Sequence, residues 1–314
     1  MKRFALLSAL MLFIPFLAQP ASAAVRVFAC EPEWGALAHE IGGDEVSVFT
    51  ATHALQDPHH IQARPSLIAR MRRADLVIAT GAQLEIGWLP VLLRQAANPR
   101  VQPGQPGYLA AADYVRKLDV PARVDRALGD IHPAGNPHIQ TDPRNIGRVA
   151  AALAERLQQI DPQHAAAYAA RYADFARRWQ QALARWQAEA APLKGVRIVV
   201  YHKGWAYMNR WLGLEEVAAL EPVPGVPPSA SHLAGLLAKL RARPAAMVIY
   251  AAYQDSRASE WLASRAGIPA VRLPFTVGGT PAASDLFGLY EDTIRRLLGA
   301  LAKAKPSLGG ERQP

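Results

Sequence analysis

Two hydrophobic periods alternate along the chain. Short, largely apolar runs at residues 25–28, 46–50 and 76–80 read as strands. Between them lie stretches whose apolar positions recur three and four residues apart. Residues 32–41 predict a helix opening on Pro32, with Gly42 placed to end it, and residues 65–73 predict a second short helix. Strands alternating with helices in this way predict a parallel sheet covered by helices.

The middle of the chain follows a longer rule. Ile146, Val149, Leu153, Leu157 and Ile160 share one helical face. Asp161-Pro162 then stops and restarts the pattern, and Tyr168, Tyr172, Phe175, Trp179, Leu183 and Trp186 form an aromatic stripe at helical spacing. It persists until Pro192, a helix of about 29 residues and roughly 40 Å. Such a helix between two β-α halves reads as a rigid strut that touches both. The alternation resumes with strands at 196–201, 246–250 and 271–273 and helices beginning at 205 and spanning 286–302. Residues 221–231, with five prolines or glycines, read as a loop. The expected fold is therefore α/β: two β-α lobes with parallel-type sheets, residues 24–160 and 193–314, joined by a connecting helix over 161–192.

The first 23 residues read differently. Lys2 and Arg3 precede an apolar core at residues 4–17, too short for a comfortable membrane span, and Ala21-Ser22-Ala23 supplies the small residues of a signal-peptidase site. Cleavage after Ala23 and export to the periplasm are expected. No later apolar run approaches 18 residues. A composition 51% hydrophobic and 19% charged excludes a disordered chain and allows full cores. The formal charge of +9 falls to +7 without Lys2 and Arg3. The arginines (Arg148, Arg156, Arg171, Arg177, Arg178, Arg185) are scattered along helices without exposed aromatics beside them, which argues against nucleic acid as a partner. The single cysteine, Cys30, ends an apolar strand pattern and reads as a buried thiol.

Against this frame three histidines share a local setting, each just beyond a strand or in a turn: His59 in Asp57-Pro58-His59-His60, His138 in Asn136-Pro137-His138, and His202 directly after the strand at 196–201. Ligands of open α/β sheets bind outside the carboxyl ends of strands, so loops 79 and 64 residues apart can meet in one cleft. The prolines before His59 and His138 stiffen the approach of each ring. Neutral imidazole is a common donor to transition metals, and three nitrogens plus a carboxylate suit tetrahedral zinc.

These residues carry a resemblance. Asp57-Pro58-His59 with Arg64-Pro65-Ser66, Ala74-Asp75-Leu76-Val77 and the run from Gly81 to Leu89 resembles the first signature of the cluster A-I metal-binding periplasmic receptors of ABC importers. Asn136-Pro137-His138 with Thr141-Asp142-Pro143 is similar to the second signature, and the run from Tyr201 to Tyr207 to the third. The 129–135 run and Thr276-Val277-Gly278-Gly279 look most like the AztC-type zinc branch among the ZnuA/AztC-like proteins. The resemblance implies a two-lobed monomeric receptor, not an enzyme. Zn2+ is its transported ligand, held between the lobes by His59 and His138 from the first and His202 from the second. Its partners would be an ABC permease and its ATPase, with a periplasmic metallochaperone as a further one. Manganese-binding members are expected to carry glutamate in place of His202; a third imidazole favours zinc, with copper or nickel left open.

The fourth ligand stays open at this stage. Asp285, beyond the glycine turn, is expected to return to the cleft, although the same side chain would serve as N-cap of the last helix; Asp255 or water are the alternatives. His60 and His132 read as neighbours of the site and His232 as a transient contact, whereas His39, His53 and His164 read as surface or packing residues. The long His/Asp-rich loop of many zinc members is absent. Two other functions use the same residues: a zinc-dependent hydrolase with an open coordination position, for which no HExxH or G-x-S-x-G run exists, and a receptor or adhesin for a chelated metal.

Overall fold

The computed structural model describes residues 24–123, 129 and 132–308. The expected signal segment lies outside the described residues. Among the described residues, eight strands fall into two sheets of four. β1 (Val25–Ala29), β2 (Val46–Thr50), β3 (Leu76–Ala79) and β4 (Tyr108–Ala110) form the first, in the order β2-β1-β3-β4. β5 (Arg197–Val200), β6 (Glu215–Ala219), β7 (Met247–Ala251) and β8 (Ala270–Leu273) form the second, in the order β6-β5-β7-β8. Every strand pair is parallel. The central strands β3 and β7 are buried at every position, as an unbroken apolar run between two helical layers requires.

The helices α1 (Pro32–Gly42), α2 (Pro65–Arg73) and α3 (Leu89–Ala96) belong to the first lobe. α6 (Ala206–Leu212), α7 (Ala230–Ala242) and α8 (Arg257–Ala266) belong to the second. α1 runs one residue past its expected end: Gly43, at φ +56°, makes the turn that Gly42 was expected to make. The strands β4 and β6 and the helices α3, α7 and α8 have no counterpart in the sequence reading. β4 has only three residues, and β6 (EEVAA) carries two glutamates where a strand pattern would need apolar side chains.

α4 (Pro143–Ile160) packs on α1 of the first lobe, and α5 (Ala165–Glu189) lies against it after the break at Asp161-Pro162. At 25 residues α5 spans about 37 Å, slightly less than the 29-residue pattern suggested, because one short turn at Pro162–His164 and another at Ala191–Leu193 take up its ends. Its stripe is buried at Tyr168, Phe175, Trp179, Ala182 and Trp186. One side packs on α1 and α4; the other meets α9 (Leu286–Leu308), which also lies against β7 and β8 of the second sheet. Trp179 sets its ring edge-on to Phe287 at 4.9 Å and Tyr290 at 5.6 Å, and its indole N–H donates to the Pro143 carbonyl at 2.9 Å. The strut is therefore glued to both halves by aromatic surface. Arginines on its outer face tie it to neighbours, Arg178 to Glu40 of α1 and Arg185 to Glu291 of α9, so the helix-face charges have local acidic partners. No described helix is long and apolar enough to cross a membrane.

Candidate metal centre

Each histidine is aimed by its own local structure. After β2 the chain makes a turn in which Asp57 Oδ1 accepts from the His59 backbone N–H at 3.0 Å and meets the ring Nδ1 at 2.7 Å. The Trp88 indole N–H donates to the Pro58 carbonyl at 3.0 Å and fixes that turn from below. His138 lies just before α4; its backbone N–H donates to Asn136 Oδ1 at 3.0 Å, and its carbonyl accepts from Thr141 Oγ1 at 2.9 Å. His202 leaves the end of β5, and its Nδ1 meets Glu221 Oε2 at 2.7 Å. A carboxylate only accepts, so Nδ1 of His59 and of His202 carries the proton and each Nε2 is left as a lone pair facing the cleft.

The three rings converge. Ring centroids lie 5.2 Å apart for His59 and His138, 5.5 Å for His138 and His202, and 5.8 Å for His59 and His202. One nitrogen from each lies within 4.8 Å of the others. His138 is the most enclosed, with 1% of its surface exposed, against 9% and 11% for the side chains of His59 and His202. Phe275 covers its face at 5.1 Å, edge-on, and a side chain at Gly204 would press into both Phe275 and the His138 ring, at 3.1–3.3 Å. Glycine at 204 leaves these rings room to pack closely. Burial and the neighbouring histidines push the His138 pKa well below its ordinary value, so this ring is neutral and able to ligate.

Both ring nitrogens of His138 are buried without a hydrogen-bond partner. Leaving a buried polar group unpaired costs about 1–3 kcal/mol. A cation bound by the unprotonated nitrogen offsets part of that cost, so the donor set fits a late transition metal.

The lobes are stitched beside the histidines. Asn136 Nδ2 donates to the Lys203 carbonyl at 2.9 Å, and the Tyr207 hydroxyl donates to the Asn136 carbonyl at 2.7 Å. A cavity of about 760 Å³ opens next to the rings, lined by His132, His138, His202, Lys203, Asp119 and Glu216 among others.

The structure does not bring Asp285 to this cluster. Its side chain is exposed and its Oδ1 accepts from the Gly288 N–H at 2.7 Å, capping α9; the cap and the ligand roles compete for one carboxylate. Asp255 is paired with Arg257. His132 sits against His59, with Nε2 atoms 3.2 Å apart, and His60 is exposed beside it. His232 is at the start of α7, where its N–H is capped by Ser229. His164 pairs with Asp161 and Tyr168, and His39 and His53 are exposed.

Sequence reasoning missed Asp57 and Glu221 as orienting groups. Asp57 carried a signal, since Asp two residues before His in a Pro turn can bond both its backbone and its ring. Glu221 carried none, being 19 residues from its partner and brought close only because β6 lies beside β5. Also unforeseen are three buried carboxyls behind the site. Thr276 Oγ1, from the second lobe, donates to Glu33 Oε2 of the first, and burial raises the Glu33 pKa to about 7. Glu31, Glu85 and Cys30 form a second cluster. Burial and the mutual repulsion of the two carboxyls push Glu31 far above the carboxylate range, and the Glu31–Glu85 pair shares a hydrogen bond, an arrangement that holds a proton.

A model of the family described as zinc-uptake complex component A, periplasmic (ZnuA), matches residues 27–304. The high-affinity zinc uptake system protein ZnuA of Paracoccus denitrificans (strain Pd 1222) is 28% identical over 321 residues, covering 91% of this chain and 93% of the relative. The protein of the same name from Yersinia pestis is 26% identical over 245 residues, covering 74% and 76%. Among solved structures, a crystal structure of ZnuA superposes with a TM-score of 0.73 at 23% identity, over 88% of this chain and 99% of that one. A manganese-bound periplasmic metal binding protein from Candidatus Liberibacter asiaticus gives 0.71 at 15%, over 88% and 99%. At these identities the structures establish the shared two-lobed fold with its long helix. With the family model spanning nearly all the described residues, the chain belongs to the periplasmic component A (ZnuA) family of zinc-uptake complexes.

Proposed function

We propose that this protein is a periplasmic zinc receptor: it captures Zn2+ as cargo with Nε2 of His59 and His202 and one ring nitrogen of His138, and delivers it to an ABC permease and its ATPase. The observation that carries the ligand assignment is the His138 ring, buried and neutral, with both nitrogens unpaired and two other imidazoles within 5.5 Å. Asp57 and Glu221 raise the basicity of His59 and His202 and hold their tautomers. Three neutral nitrogens favour zinc over manganese, which prefers oxygen. The periplasmic setting and the transporter partners are supported by family membership.

Metal titration of the demetallated protein tests the reading. Zinc should bind one ion per chain and manganese far more weakly, and His59→Ala, His138→Ala and His202→Ala should each weaken zinc by at least tenfold. A wild-type protein that takes up no zinc, or three variants that bind it unchanged, overturns the assignment.

A further inference from the structure

We propose that Cys30, Glu31 and Glu85 form a second metal site, inside the first lobe, for a thiophilic divalent cation of the zinc and cadmium class. It shares no residue with the three-histidine cluster and does not depend on that reading. One ligand atom from each of the three residues lies within 4.8 Å of the other two, and the residues are 0%, 3% and 3% exposed.

The fold brings them together where its first sheet changes direction. From β1 the chain crosses to β2 on one side, and from β2 it returns to β3 on the other side of β1. In open parallel sheets, ligands bind beyond the carboxyl ends of the strands at such a switch point. Cys30 directly follows β1, Glu31 is the N-cap residue of α1, and Glu85 lies in the turn between β3 and α3. The Glu31 side chain makes no capping bond and turns to the cluster instead. The Glu85 carboxylate folds back onto the end of β3, where Oε1 accepts from the Thr80 N–H at 2.6 Å and Oε2 from the Gly81 N–H at 3.1 Å. Thr80 Oγ1 donates to Glu31 Oε2 at 3.0 Å and accepts from the Trp34 indole N–H at 2.8 Å. Three of the four carboxyl oxygens are thus aimed by donors of the protein. The fourth, Glu31 Oε1, is buried and no donor of the protein reaches it.

The charges that act most on Cys30 and Glu31 are other acids, Glu85 and Glu33, so the cluster must draw its positive charge from solution. Without metal, the thiol keeps its proton and the two carboxyls share one, which leaves a net charge of about −1. A divalent cation replaces both protons. They leave to solvent as one metal–sulfur and two metal–oxygen bonds form, and the net charge stays at about −1. The exchange therefore adds no net buried charge. A thiolate in the set selects a thiophilic ion over calcium or magnesium. Bonds of about 2.0–2.3 Å place ligand atoms about 3.3–3.6 Å apart, so the three groups close by little more than about 1 Å. A cavity of about 20 Å³, enough for one water-sized ion, touches Glu31 and is also lined by Glu33, Gln140 and Thr276.

Cadmium titration of the reduced, demetallated full chain tests the site. Two ions should bind per chain, and one of them should bring the ultraviolet absorption of sulfur-to-cadmium charge transfer. Cys30→Ser should lose that band and that ion while keeping the other, and Glu31→Gln should raise the Kd of the band-forming ion at least tenfold. X-ray absorption at the cadmium edge of the wild type depends on no variant folding and should show sulfur among the neighbours. No band, cadmium without a sulfur neighbour, or a Kd within twofold of wild type in Glu31→Gln overturns the proposal. His138→Ala separates the two sites: it should keep the band and lose the other ion. A band accompanied by one ion in the wild type would sink the three-histidine reading and leave this site standing.

Discussion

On the proposed ligand assignment, His138 is a residue unfavourable for the fold and needed by the site. Its buried, unpaired nitrogens cost stability, and a cation bound by the one that carries the lone pair offsets part of that cost. His138→Leu should therefore melt no lower than wild type when metal-free, yet lose the rise in melting temperature that zinc produces. Scanning calorimetry with and without zinc checks this, and a metal-free variant several degrees less stable would contradict it. The orienting carboxylates make the complementary case. Asp57 would be raised by its burial, but its bond and charge attraction to His59 outweigh this and hold it below the ordinary carboxylate range. Asp57→Asn and Glu221→Gln should weaken zinc by roughly 10–100-fold while leaving three imidazoles on the metal; unchanged competition titrations would show that the tautomers are set in some other way.

At the scale of elements, the aromatic stripe of α5 joins the halves. Trp179 packs on α4 through its hydrogen bond to Pro143 and on α9 through Phe287 and Tyr290. Truncating a large buried aromatic costs about 3–5 kcal/mol, so Trp179→Ala should lower the denaturation midpoint accordingly in an equilibrium urea series. A loss below about 1 kcal/mol would mean that α5 does not bear on both lobes. The contact between α1 and the segment after β8 adds a pH term. The carboxyl of Glu33, raised to about 7 by burial, keeps its proton in the folded state while the unfolded chain loses it near 4.5. The folded state binds more protons across that window, so this group's contribution is complete below 4.5 and is lost as pH rises through 7. Its full extent is on the order of 3 kcal/mol. His138, with its lowered pKa, tilts the profile the other way under acid. The difference between wild type and Glu33→Gln isolates the carboxyl: the variant should gain stability relative to wild type between pH 5 and 8, and parallel curves would refute it.

For the molecule as a whole, the two sheets share one strand order, and α5 touches α9, which packs on β7 and β8. Ligands drawn from both lobes exist as a set only in the folded chain, so zinc binding adds directly to folding stability, about 2.7 kcal/mol when free zinc is a hundredfold above Kd. The melting temperature should climb with zinc and return with a chelator, followed by fluorescence or calorimetry. Manganese at equal concentration should shift it much less.

Much of this was legible in the linear chain. Short, largely apolar runs marked β1, β2, β3, β5, β7 and β8, prolines marked the starts of α1 and α2 and glycine the end of α1, and the spacing of Tyr168, Phe175, Trp179 and Trp186 announced the strut. These signals are local: each depends on which face a residue must bury against its neighbours a few positions away. His59, His138 and His202 were also marked, by their place after strands and beside prolines. What the sequence could not decide is which side chains meet. Glu221 reaches His202 only through strand pairing, His132 comes to 3.2 Å from His59 across 73 residues, and the choice of Asp285 between capping α9 and entering the cleft depends on where the whole helix lies. Periodicity dictates the elements because they are built from short-range contacts. The metal centre is built from long-range ones, and those distances exist only after the two lobes have packed against the helix between them.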